Sequence, residues 1–163
     1  MIKKRILHFL AKKPVSTIDA QPSYKRSRET AIVFSEKQDN EALSELTQEL
    51  ISDGKQVHTL MMVKKPSRDA SYSHPYFSQK DVSFTGKISS ERLRNFFNIQ
   101  FDLLLVLNET HCTLTRFIIS KSKAPLRVGY LSTDHSDSLL NLMIKPKDKA
   151  HHAELLTYLR KIT

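Results

Sequence analysis

The stretch FDLLLVL, Phe101–Leu107, is an almost unbroken apolar run with Asp102 as its only polar residue. A strand with one wet face alternates apolar and polar residues, whereas a strand covered on both faces has no reason to. This run therefore predicts a central strand of a parallel sheet with helices packed on either side. Downstream, Thr110 is placed to cap a helix that turns Leu114, Phe117 and Ile118 toward the sheet, and PLRVGYL, Pro125–Leu131, supplies the next strand. Upstream, Ser89 is placed as a helix cap, with Ile88 and Leu93 as a hydrophobic staple ahead of Phe96 and Phe97.

The same alternation extends outward in both directions. TAIVFS, Thr30–Ser35, reads as a buried strand, and Asp39 or Asn40 can cap a helix whose Leu43, Leu46, Leu50 and Ile51 share a face. Gly54 stops that helix, and QVHTLMMV, Gln56–Val63, is the second strand of a right-handed β-α-β unit. Short strands are expected at Asp81–Thr85 and Leu139–Ile144, and a closing helix at Lys147–Ile162 with Leu155, Leu156, Leu159 and Ile162 as its stripe. The predicted fold is α/β, a three-layer Rossmann-like sandwich with a mainly parallel sheet, over residues 30–163. Residues 1–29 are expected to form a basic N-terminal helix and linker ahead of it, the helix spanning residues 2–12 and ending at Pro14.

The charge is uneven. The chain of 163 residues has a formal net charge of +9, and its first thirty residues hold eight Lys and Arg against two acids. Clustered cations of this kind imply an anionic partner such as nucleic acid or an anionic membrane surface. The chain has three glycines, Gly54, Gly86 and Gly129. Neither the dinucleotide fingerprint nor the P-loop can be written with them, since both need several glycines close to phosphate, and no cofactor is implied. Cys112 is the only cysteine, which excludes a disulfide framework and a Cys-rich zinc site and fits a reducing compartment. No segment has the roughly 18 apolar residues of a membrane span, so a soluble cytoplasmic protein is expected.

Residues 101–130 resemble part of the N-terminal half of heptosyltransferase-type glycosyltransferases. The matching features are Asp102 ahead of the apolar strand Leu103–Leu107, the helix that follows, and Ala124, Arg127, Val128 and Gly129. The chain as a whole is similar to a small uncharacterised family from Bacteroidota. The resemblance implies a Rossmann-like domain. In place of the glycine-rich loop of that superfamily the chain reads Ser35-Glu36-Lys37-Gln38, and the second, sugar-nucleotide domain is not expected in these 163 residues.

In an open parallel sheet ligands gather beyond the carboxyl ends of the strands. Those positions hold Ser35-Glu36-Lys37, Lys64-Lys65, Asn108–Cys112 and Ser132–His135, and among them Glu109, His111, Asp134 and His135 are candidates for an acid/base pair. Short polar loops after strands also arise simply as caps and turns. His151 and His152 lack the i, i+4 spacing of a helical metal site, so no metal is expected and they read as solvated histidines. The loop Ser71–Phe77 sets Tyr72, His74, Tyr76 and Phe77 among Lys64, Lys65, Arg68 and Lys80. Rings among cations suit stacking on single-stranded RNA, and they equally suit a loop anchored by buried aromatics.

The leading expectation is a noncatalytic binding protein attached to RNA or a ribonucleoprotein. Its anion-binding residues would be Lys3, Lys4, Arg5, Lys12, Lys13, Lys25, Arg26 and Arg28 of the arm, with Lys64, Lys65, Tyr72, Tyr76 and Phe77 of the domain. The alternatives are a degenerate or partner-completed glycosyltransferase-like enzyme, and a peripheral protein held to anionic membrane by its basic amphipathic helix.

Overall fold

Seven residues from Glu29 to Ser35 form strand β1, buried from Thr30 to Phe34 because both sheet faces are covered there. In the computed structural model, which describes residues 23–108, 112–131, 139–145 and 152–161, β1 is followed by helix α1, Asn40–Ser52, and strand β2, Gln56–Met62. Asp39 caps α1 by accepting from the backbone N–H groups of Glu41 and Ala42, and Gly54 takes the positive φ of 78° that ends it. Next come β3, Tyr76–Phe77, helix α2, Glu91–Asn98, strand β4, Leu103–Val106, helix α3, Thr113–Lys121, strand β5, Leu126–Tyr130, strand β6, Leu142–Ile144, and helix α4, His152–Lys161.

The six strands lie in the order β3-β2-β1-β4-β5-β6 and every pairing is parallel. This is the Rossmann order, in which the chain winds outward from β1 to one edge, returns beside β1, and winds to the other edge. Alternate side chains divide the core between two layers. Ala31, Val33, Leu104 and Val106 point toward α2 and α3, where they meet Leu93, Phe96, Phe117 and Ile118. Ile32, Phe34, Leu103 and Leu105 point toward α1 and α4, where they meet Leu46, Leu50, Leu155 and Leu159. The uniformly apolar β4 is thus explained by cover on both faces.

Several boundaries differ from expectation. Asp81–Thr85 is not a strand: Ser78 caps a short 3-10 turn over Gln79–Asp81, and only Val82 bridges, antiparallel, to Ile88. The outer parallel strand is instead Tyr76–Phe77, set against Met61 and Met62. Ser90, not Ser89, caps α2, and Ile51 turns to solvent at 51 % exposure, off the buried stripe of α1.

The domain also begins earlier than residue 30. Tyr24 is buried among Ile32, Leu50 and Leu159, its hydroxyl donates to Asp53, and the Lys55 ammonium donates to the carbonyls of Tyr24 and Ser27. Residues 23–28 are thereby part of the fold. Asp102, the aspartate ahead of the apolar strand, accepts from the backbone N–H groups of Arg28 at 2.8 Å and Glu29 at 3.0 Å, which ties the start of β1 to the start of β4. The predicted helix over residues 2–12 lies outside the described residues.

Candidate functional site

The winding reverses between β1 and β4, so the crevice of this fold lies beyond their carboxyl ends. On the β1 side Glu36 closes back on β2: its backbone N–H donates to the Met62 carbonyl, and its carboxylate accepts from the Lys64 backbone N–H at 3.3 Å. A dinucleotide-binding loop offers glycines and bare N–H groups at this place, and here a carboxylate occupies it.

On the β4 side the buried Asn108 donates through Nδ2 to Thr115 Oγ1 at 3.1 Å, and the Thr115 hydroxyl donates in turn to Met62 Sδ at 3.3 Å. The Cys112 sulfur lies 3.4 Å from both Met62 Sδ and Thr115 Oγ1. The thiol is held among a thioether and a hydroxyl at the start of α3, where it takes the N-cap position without a side-chain capping bond. Asn108 Oδ1 is buried with no hydrogen-bond partner.

The opposite face of the same edge carries a second polar node. His152, the first residue of α4, lies with Nε2 3.0 Å from Gln38 Nε2 and with Nδ1 2.8 Å from the Tyr130 hydroxyl oxygen. With the Gln38 amide donating to Nε2, the proton of a neutral imidazole sits on Nδ1 and Tyr130 accepts it. One ring therefore joins the β1–α1 loop, the end of β5 and the start of α4. This corrects the reading of His152 as solvated: it is 6 % exposed.

A groove of about 370 Å³ runs from this histidine along the seam between α1 and α4. Leu46, Leu156, Ala42 and Ala153 line it, Glu45 and Glu49 flank it, and Arg160 stands at its far end. Arg160 donates to Glu49 at 2.7 Å and to both carboxylate oxygens of Asp53, at 2.9 and 3.0 Å. The Arg160 hydrogen bond, reinforced by that from Tyr24, holds the Asp53 carboxyl below its usual range. Burial, followed by the Asp53 carboxylate, pushes the Tyr24 hydroxyl well above the usual phenol range.

The proposed acid/base residues Glu109, His111, Asp134 and His135 lie outside the described residues, as do Lys3, Lys4, Arg5, Lys12 and Lys13. Lys25, Arg26 and Arg28 are exposed at the amino edge of the sheet, beside the start of β1. Lys64 and Lys65 are exposed beyond the carboxyl end of β2. A seven-residue strand sets these two groups roughly 20 Å apart.

The aromatic loop is anchored. Tyr72 packs on Tyr76 with ring centroids 4.4 Å apart, and the Arg92 guanidinium lies 4.0 Å from the Tyr76 centroid. The Tyr72 hydroxyl accepts from the Ser67 backbone N–H, and His74 sets its ring edgewise against Phe34. Phe77 is completely buried in the α2–α3 layer. Its ring is core and has no face to offer a base, which corrects its place among the stacking residues. The sequence placed Asn108 beyond β4 without giving it a partner and read His152 as solvated; Gln38, Thr115 and Tyr130 were missed, the one available signal being their position at strand and helix ends, shared by many residues that only turn the chain.

Among the described residues no cluster of three His, Cys, Asp or Glu side chains could hold a metal ion, and no helix is long and apolar enough to cross a membrane. The fold and its edge define a Rossmann-like α/β protein whose first loop carries a carboxylate in place of glycines. The chain belongs to the family of unknown function DUF6913, whose model matches residues 1–162. No curated protein matches it.

Proposed function

We propose that this is a noncatalytic cytoplasmic binding protein, attached to RNA or to a ribonucleoprotein by its basic N-terminal segment. The observation that supports this most is the exposure of Lys25, Arg26 and Arg28 where that segment joins the domain. They continue in sequence the series begun by Lys3, Lys4, Arg5, Lys12 and Lys13, and these three stand at the edge of the sheet opposite the crevice. Lys and Arg clustered on one segment attract phosphate whatever fold stands behind them. The Glu36 carboxylate at the β1 loop supports the same reading from the other side, because it repels the phosphate that a nucleotide-using relative of this fold would hold there.

Recovery of the full chain under native conditions, followed by sequencing of the bound RNA and identification of bound proteins, tests this. The reading predicts RNA with the full chain and its loss when residues 1–22 are removed. Recovery of no more RNA than with a charge-matched control protein overturns it.

A further inference from the structure

We propose that the groove between α1 and α4 is the docking site of this chain's own residues 2–12, and that a polyanion bound to the arm competes with that docking. The competition, unlike the docking, rests on the RNA reading above.

Three observations point to this occupant. The first is position. The 22 residues that precede the described chain join it at Ser23, and the next residue, Tyr24, hydrogen-bonds to the carboxylate that also grips Arg160 at the end of the groove. The second is charge. Glu45 flanks the groove and Glu41 stands exposed on the same helix, Glu49 being engaged by Arg160, while residues 2–12 bring Lys3, Lys4, Arg5 and Lys12. The third is shape and polarity. Leu46 and Leu156 give the groove an apolar floor, and Ala42 and Ala153 leave room for a second chain to approach. Ile2, Ile6, Phe9 and Leu10 recur at the spacing that places them on one side of a helix, opposite most of the cations.

Length permits the contact. From Ala42 to Glu49 the groove follows two turns of α1, about 10 Å, and the ten residues from Lys13 to Pro22 span as much as ~33 Å when extended. The segment can therefore leave Ser23 at the Arg160 end and fold back along the seam. Attraction between the basic arm and the glutamates at the groove weakens with salt, and RNA phosphates draw on the same cations. The arm would then be covered in the free protein and released onto RNA.

Trypsin cleavage after Arg5 and Lys12, followed by mass spectrometry on the folded full chain at low salt, tests the docking without any RNA. A peptide of residues 1–22 gives the rate for an uncovered segment. The wild-type chain should be cut about tenfold or more slowly than the peptide, as expected if nine molecules in ten are docked. Ala153→Trp, which fills the groove from an exposed helix position, and Glu45→Lys, which reverses a flanking charge, should each restore the peptide's rate while cleavage elsewhere stays slow. Wild-type cleavage at the peptide's rate, or protection that survives both variants, overturns the docking. Protection that grows with protein concentration together with a dimer in sedimentation assigns the groove to a second copy's arm and also overturns it. Adding single-stranded RNA should speed cleavage after Lys12. Full protection with no response to RNA leaves the docking standing and removes the competition.

Discussion

The Lys55 ammonium group lies 2.6 Å from the carbonyl oxygen of Tyr24 and the same distance from that of Ser27, and it is buried where it makes both bonds. One cation thus holds residues 24–27 onto the domain. Its own carbonyl partners cannot turn to water, so Lys55→Met should leave two acceptors unpaired and cost about 1–3 kcal/mol. Urea unfolding measures the loss, and tryptic cleavage between Lys25 and Arg28 should quicken in the same variant.

Burial of Tyr24 against Asp53, and the Arg160 hydrogen bond to Asp53, make stability depend on pH at both ends of the scale. Tyr24 holds its proton in the native state above the ordinary phenol value of 10.0, so its contribution is complete below that value and is lost as pH rises past it. Asp53 stays ionised below the ordinary carboxyl value of 3.8, so its contribution is present above that value and fades on acidification through it. Tyr24→Phe should therefore be less stable than the wild type at pH 7, and the gap should narrow above pH 10. A gap that is constant from pH 7 to 11, read from urea midpoints, would show that Tyr24 ionisation is not coupled to folding.

Gly129 is a packing glycine. A Cβ built there would lie 2.9 Å from Leu140 Cδ1 and 3.0 Å from the Val106 carbonyl oxygen, which belongs to the neighbouring strand and cannot retreat. Gly129→Ala should destabilise by about 1–3 kcal/mol through overpacking. Thermal unfolding measures it, and an unchanged midpoint would mean that β4 and β5 tolerate separation.

The aromatic loop separates structural from RNA-binding roles. Phe77→Ala removes a fully buried ring and should cost about 3–5 kcal/mol. RNA affinity measured in conditions where the variant remains folded should be unchanged, because that ring is not available to a base.

The sheet was legible because its evidence is local and redundant. Leu103–Val106 could only be a strand covered on both faces, and the β-α-β pattern around α1 left a parallel neighbour as the simplest partner. The short outer strand was not, since Tyr76–Phe77 is held by its pairing to Met61–Met62 and by the burial of Phe77, not by any periodicity of its own. The arm boundary was misread for a similar reason: a lone Tyr24 among polar residues gives no pattern, and its place is set by Asp53, 29 residues on. The polar node at His152 depends on Gln38, 114 residues away, and on Tyr130. Contacts of that span leave no trace in spacing, so only the fold could bring those residues together.

The central claim, that the basic N-terminal segment carries RNA binding, is tested most directly by the salt dependence of binding. Fluorescence anisotropy of a labelled single-stranded RNA, titrated with the full chain and with a chain lacking residues 1–22 across 50 to 200 mM salt, reads it. Each neutralised phosphate contributes about −0.7 to the slope of log affinity against log salt on single strands, so four to seven contacts predict a slope of roughly −3 to −5 for the full chain. The shortened chain should lose most of both affinity and slope. No measurable affinity in the full chain, or a slope that is the same with and without residues 1–22, would contradict the account.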